Sequence, residues 1–320
     1  MNNYDFVKTC QVVKLTIVEV EMQVGIVLLT AENQLQGCPR YTDIRDTVQK
    51  AEALGFSSVW LFDHLMYRWP NAPTLGIWEC WTIMAALAES TNHIGIGSLV
   101  ICSQFRNPAL LAKMAITLDE VSNGRFTLGL GAGWHEPEFT AYGVPFDKRV
   151  SRFNEAIQII HPLIKNGFVN FSGDYYQAVN CEILPYRPSS HGPALLIGGK
   201  GHRMLRLAAR YADTWNTGLV TLESFEESNK AILDACSSVG RDTTTLKATI
   251  HLPVVFNDLG LPPPYLNEYL SGSDNEIAMS WAAFARAGVS HLMVEYFPRN
   301  LKGLDRLAKV LDIFKNINQS

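Results

Sequence analysis

From Val24 onward, short β-branched apolar runs alternate with longer stretches of helical periodicity, eight times over, and this alternation restricts the fold more than any other feature of the chain. Strands are predicted at Val24–Leu29, Ser58–Phe62, Ile94–Val100, Phe126–Leu130, Ala194–Ile197, Asp213–Asn216, Leu246–Val255 and His291–Glu295. Runs such as Val24-Gly25-Ile26-Val27-Leu28-Leu29 and Leu195-Leu196-Ile197 are too uniformly apolar for a sheet wetted on one side, so both faces need cover. The intervening stretches supply it. Ile44, Val48, Ala51 and Leu54 share one helical face, as do Phe153, Ile157, Ile160 and Ile164, and Leu304, Leu307, Leu311 and Phe314. The expected fold is α/β, a (β/α)₈ barrel with insertions in its βα loops. A doubly wound sheet would also alternate, but it usually carries G-x-G-x-x-G after its first strand, where this chain has Thr30-Ala31-Glu32-Asn33.

With 320 residues, 47% apolar and 18% charged, the chain can bury one large core, and residues 22–320 are expected to form a single domain. Residues 1–21 form an N-terminal extension, weakly strand-like through Val12-Val13, Leu15, Ile17-Val18 and Val20: an added strand, or a start assigned upstream of the true one. That stretch lacks the pattern of a secretory leader, and no apolar run approaches the roughly 18 residues of a membrane helix. A net charge of -4 without a basic run speaks against nucleic-acid binding. Six scattered cysteines without a C-x-x-C pair fit free thiols in a reducing compartment, so a cytoplasmic location is expected.

Two βα connections, 63–77 and 131–148, exceed the usual 2–6 residues, and the irregular stretch 167–193 is expected to hold a small hairpin. The Pro- and Gly-rich segment 257–272 is expected to be mobile. In a barrel of this type the chemistry gathers just after the strands. Asp63 and His64 follow the second strand; His64 is suited to proton transfer, though position alone leaves a loop-stabilising role equally open. Gly131-Ala132-Gly133-Trp134 follows the fourth strand, where glycine lets a planar ring come close; a tight turn with Trp134 in the core is the plainer alternative. Gly198-Gly199-Lys200-Gly201 leads into a helix whose N-terminus suits a phosphate, unless it is only a strand-to-helix turn. Aromatics crowd 60–81, either lining a pocket above the barrel or, as for Trp78 and Trp81 at helical spacing, filling the core. Metal-ligand spacing, a Walker loop and a G-x-S-x-G elbow are all missing from the sequence.

Taken together, Phe62-Asp63-His64, Phe105-Arg106-Asn107-Pro108, Leu118-Asp119-Glu120-Val121-Ser122-Asn123-Gly124-Arg125, Leu128 through Trp134, Tyr142-Gly143-Val144-Pro145-Phe146, Ile197-Gly198-Gly199 and Ala212-Asp213-Thr214-Trp215-Asn216 resemble the luciferase-like monooxygenase family across about 22–316. The resemblance implies a barrel, often dimeric, that uses reduced FMN with oxygen or coenzyme F420 for hydride transfer to a small organic substrate. It further implies that Asp63 and His64 flank the reactive ring, that Ser98 and Leu99 back it, that Gly131, Ala132, Gly133 and Trp134 pack near it, and that Gly198, Gly199 and the neighbouring Lys200 and Gly201 amides hold the phosphate. A non-prolyl cis peptide is expected near Ser98-Leu99. Some F420-dependent dehydrogenases of the family place a catalytic glutamate where this chain has Trp134, which speaks against a sugar-phosphate dehydrogenase. F420-linked hydride transfer is the leading expectation, an FMN-dependent monooxygenase its rival, and a noncatalytic flavin-binding protein the third reading.

Overall fold

The computed structural model describes residues 22–32, 37–186, 192–218 and 221–318; the N-terminal extension lies outside them. Eight parallel strands close a barrel: β1 (Gln23–Val27), β2 (Ser58–Leu61), β3 (Gly95–Ser98), β4 (Phe126–Gly131), β5 (Ala194–Gly198), β6 (Thr214–Gly218), β7 (Lys247–Val255) and β8 (Val289–Phe297). Each strand pairs with its sequence neighbours, and β8 pairs back onto β1. The predicted runs coincide with these strands to within a few residues. The helices that follow are α1 (Tyr41–Ala53), α2 (Cys80–Ser90), α3 (Pro108–Val121), the short α4 (Glu136–Ala141), α5 (Arg149–Asn166), α6 (His202–Tyr211), α7 (Leu222–Ser238), α8 (Asp274–Arg286) and α9 (Leu301–Asn318). No helix among the described residues is long and apolar enough to cross a membrane.

The period of two along each strand divides the core into two layers. Outward residues such as Val24, Ile26, Val59, Leu61, Leu128, Leu195 and Ile250 meet the helices in one continuous apolar shell, together with Val48 of α1, Ile157 and Ile160 of α5, and Leu307 and Leu311 of α9. Inward residues form a separate cluster of Val27, Trp60, Leu99, Leu196 and Met293. Trp60 alone fills much of the barrel's width, and β3 answers it with Gly97. An alanine Cβ at 97 would stand 2.2 Å from the indole. Gly97→Ala is therefore expected to cost about 1–3 kcal/mol by overpacking. Urea denaturation measures it, and Trp60→Phe in the same background should return part of the loss.

Below this layer the barrel is polar. Ser58 Oγ accepts the Trp60 indole N–H at 2.7 Å and hydrogen-bonds His291 Nε2, 2.8 Å away. Burial lowers the His291 pKa from 6.5 to about 4. Between those values the unfolded chain binds a proton that the folded barrel refuses. The stabilisation is whole above pH 6.5 and lost as the pH falls to about 4, amounting to up to about 3 kcal/mol. Denaturation midpoints at pH 7 and 4.5 should diverge less in His291→Asn than in the unaltered protein.

The long connections have structure of their own. A two-residue hairpin, Met66–Tyr67 against Leu75–Gly76, sits in the first, and α4 in the second. The expected hairpin before β5 pairs Phe168–Ser172 with Gln177–Glu182, its tip held by Glu155, which accepts the amides of Asp174, Tyr175 and Tyr176. The segment 257–272 ends in Leu270–Ser271, which extends the sheet beside Val254–Val255. At the opposite end of the barrel, Arg125 hydrogen-bonds the carbonyls of Ala88, Thr91, Ile94 and Ser122, tying the ends of α2 and α3. The Ser122-Asn123-Gly124-Arg125 motif thus serves stability, with Asn123 and Gly124 both at positive φ. The described cysteines carry free thiols.

Candidate active site

At the C-terminal end of the barrel the 63–77 and 131–148 connections lean on each other through a set of named contacts. Asp63, 4% exposed, is gripped by Arg106 through two N–H bonds of 2.8 and 3.0 Å and accepts the Cys102 amide at 3.0 Å. Burial raises the Asp63 pKa, while the paired guanidinium and the amide oppose that rise; the forked geometry is that of an ionised carboxylate. Arg106 also bonds Glu79, which caps α2 by accepting the Trp81 and Thr82 amides. Asn107 next to it caps α3. One network thereby fixes the end of β2 and the entries to two helices.

With its neighbour pinned, His64 turns its Nδ1 to Glu138 Oε1 at 2.9 Å. The other oxygen of Glu138 accepts the Leu65 amide at 2.8 Å. Glu138 is 2% exposed, and both its oxygens hold this one segment. His64 keeps a partly exposed side chain, and its Nε2 has no hydrogen-bond partner among the described residues. Around it stand Tyr67, Trp134 and His135, with ring centroids 4.6, 5.4 and 6.2 Å away. Trp134 stacks on Trp69 at 5.8 Å, and both are exposed. His135 accepts the Arg68 amide at Nε2, which requires the neutral ring, and burial lowers its pKa in the same sense. His135 therefore holds the first loop through Nε2 and is buried, whereas the His64 side chain is the more open of the two.

The floor beneath is apolar and stripped of side chains. A cis peptide joins Leu99 to Val100, one residue beyond the predicted place. Val100 covers the ends of β4 and β5: a Cβ on Gly131 would meet its methyl at 2.6 Å, and one on Gly198 at 3.3 Å. Leu99 belongs to the inward cluster, whereas Ser98 is fully buried, its hydroxyl bridging the N–H and C=O of Gly129. Ala132 gives its carbonyl to Gln104. Gly133 needs its glycine, since φ is +74° and a Cβ would strike Phe139 and Cys102.

Across the mouth, Gly199 donates to the Asn216 carbonyl and accepts the Trp215 indole N–H. Lys200 and Gly201 are exposed, and Gly201 opens α6 with no side-chain cap. The uncapped helix end and the glycines at 131, 198 and 199 are the kind of chemistry that a planar group carrying a phosphate would use.

A family model described as luciferase-like monooxygenase matches residues 22–259. The chain belongs to that family. It is 34% identical over 178 residues to an F420-dependent glucose-6-phosphate dehydrogenase from Amycolatopsis mediterranei, covering 53% of this chain and 51% of that one. It is 30% identical over 223 residues to the pyrimidine monooxygenase RutA from Variovorax paradoxus, covering 66% and 59%. The matches thus span between half and three fifths of the length of these relatives. The structure of an F420-dependent secondary alcohol dehydrogenase, in complex with an F420-acetone adduct, superposes with a TM-score of 0.77 at 19% identity, over 92% of this chain and 99% of that one.

Of the residues singled out in the sequence, the fold brings His64, Asp63, Leu99, Gly131, Gly133 and Trp134 around one end of the barrel, with Gly198 and the 199–201 loop beside them. Ser98 stays within the wall. The aromatics divide: Trp60 and Trp81 are buried, Trp78 is exposed and bonds the Pro39 carbonyl, and Trp69 joins Trp134 at the mouth. Sequence reasoning did not single out Glu138 as the partner of His64. It also gave Arg106, His251 and Glu295 no role. The last two sit at inward positions of β7 and β8, so counting by twos from Thr249 and Met293 would have found them.

Proposed function

We propose that this luciferase-like chain is an oxidoreductase that passes hydride between coenzyme F420 and a small organic substrate, with His64 as the proton partner. The observation that carries it is the His64–Glu138 pair at the strand ends, with Nε2 unpartnered among the described residues. The bound coenzyme would accept or give the hydride. His64 would take the hydroxyl proton of an alcohol at Nε2 as the carbon loses hydride, and return it in the reverse direction. Glu138, accepting Nδ1–H, keeps the ring in the tautomer that offers Nε2 as a base and stabilises the imidazolium once it forms. Asp63 acts through position: with both oxygens engaged it fixes the backbone that His64 stands on. Val100 and the glycines at 131 and 198 would back the ring, and the amides of 199–201 would take the phosphate.

Reduced FMN with oxygen is the second reading, favoured by the similarity to the pyrimidine monooxygenase and by the Trp69–Trp134 pair, an apolar cover of the kind that keeps water from a reactive adduct. Parallel titrations with FMN and F420 in both redox states, followed by tryptophan fluorescence, separate the two. Tight, saturable F420 binding with weak FMN binding is expected; the reverse selects the monooxygenase, and binding of neither rejects both.

A further inference from the structure

A second histidine–carboxylate pair stands at the same end of the barrel, and hydride transfer with His64 makes no use of it. His251 on β7 meets Glu295 on β8, Nε2 to Oε2, at 2.8 Å. The other oxygen of Glu295 accepts from Arg299, one helical turn's distance along the chain. Burial would push the Glu295 carboxyl up, but Arg299 and His251 outweigh it and hold the pKa down at about 2. Glu295 is thus anionic at neutral pH and cancels the charge of Arg299. In the neutral ring that oxygen holds the proton of His251 on Nε2, which leaves Nδ1 as a lone pair.

That nitrogen has no partner among the described residues, and the side chain is 22% exposed. Beside it β6 ends in Gly218, where even a Cβ would stand 3.9 Å from Nδ1. The ring packs edge-on against Phe62, 5.7 Å between centroids, and Phe62 is two residues from His64. Tyr67 packs on the His64 ring, 4.6 Å between centroids. An acceptor on β7 therefore stands beside Phe62, and β8 and β1 separate that strand from β2, which leads to His64.

We propose that His251 is a substrate-recognition residue, whose Nδ1 accepts a hydrogen bond from an O–H or N–H of a neutral, ring-bearing substrate while His64 serves the reacting carbon. This deepens the hydride-transfer reading and rests on it. Since Glu295 neutralises Arg299, the subsite offers an anion nothing, and phosphorylated or carboxylated substrates are disfavoured there. Glu295 is the positioning residue that sets the tautomer.

Phenol, anisole and phenyl phosphate serve as probes, titrated into the F420-loaded protein and followed by isothermal calorimetry. Phenol is expected to bind about tenfold more tightly than anisole, which lacks the donor, and phenyl phosphate more weakly than phenol. His251→Ala should erase the preference for phenol, and His251→Asn, whose amide oxygen can stand near the place of Nδ1, should restore part of it. Glu295→Gln, which uncovers the charge of Arg299, should raise phenyl phosphate binding at least to the level of phenol. A phenol preference that survives His251→Ala, its absence from the unaltered protein, or tightest binding of phenyl phosphate would each overturn the proposal. Failure to load F420 at all would instead overturn the hydride-transfer reading, whereas loading without a phenol preference sinks this inference alone.

Discussion

Replacing His64 by alanine is expected to lower turnover by about 10²- to 10⁴-fold while leaving the affinity for the cofactor nearly unchanged. The ring approaches the mouth with Nε2 free, and its removal deletes no backbone amide, glycine or apolar contact of the cofactor floor. Glu138→Gln should give a smaller loss of kcat: the single amide oxygen can accept from the Leu65 amide or from Nδ1–H but not from both, so the tautomer with Nε2 as a base is held less firmly, and no charge stabilises the imidazolium. Stopped-flow reduction or oxidation of F420, with cofactor binding measured separately, checks both variants. A His64→Ala enzyme with undiminished kcat would remove His64 from the chemistry and leave it as a loop residue.

The largest effect on stability is expected from Arg106→Met. Arg106 is the counter-charge of Asp63, whose side chain is shut away from water, and it also binds Glu79 at the start of α2. Its loss leaves a buried carboxylate with only the Cys102 amide, and breaking such a pair from one side costs about 3–5 kcal/mol. Thermal unfolding should record it as a drop of several degrees in Tm. Adding Asp63→Asn should restore part of the loss, because the buried group then carries no charge. If the double variant were no more stable than Arg106→Met, the charge would not be the cause. Activity should fall in both variants, since the backbone beneath His64 loses its anchor.

How far the fold could be read from the chain follows from where its information lies. Strand runs such as Leu195-Leu196-Ile197 and helix stripes such as Ile157, Ile160 and Ile164 are local patterns, set by the period of the backbone and the need to cover apolar faces, so they survive without a structure. His64 could be picked out because the end of a barrel strand is a privileged place. Gly133 and Gly199 could be marked as glycines but not given reasons; those depend on Phe139 and Met204, which pack against them from other turns of the chain.

The partners of the chemical groups were hidden for a different reason. Glu138 lies 74 residues from His64, and nothing local separates it from Glu136; the turn of α4 buries the one and exposes the other. Arg106 and Asp63 stand 43 apart, His251 and Glu295 44 apart. By itself the sequence determined the eightfold alternation, the closed parallel barrel it implies, and the end at which chemistry would gather, because each rests on periodicity within a few turns of chain. Only the tertiary structure decided which carboxylate serves which histidine, which arginine is neutralised, and which nitrogens remain free. Those depend on which side chains meet when distant strands close the barrel, and on the burial that then obliges every charge to find a partner.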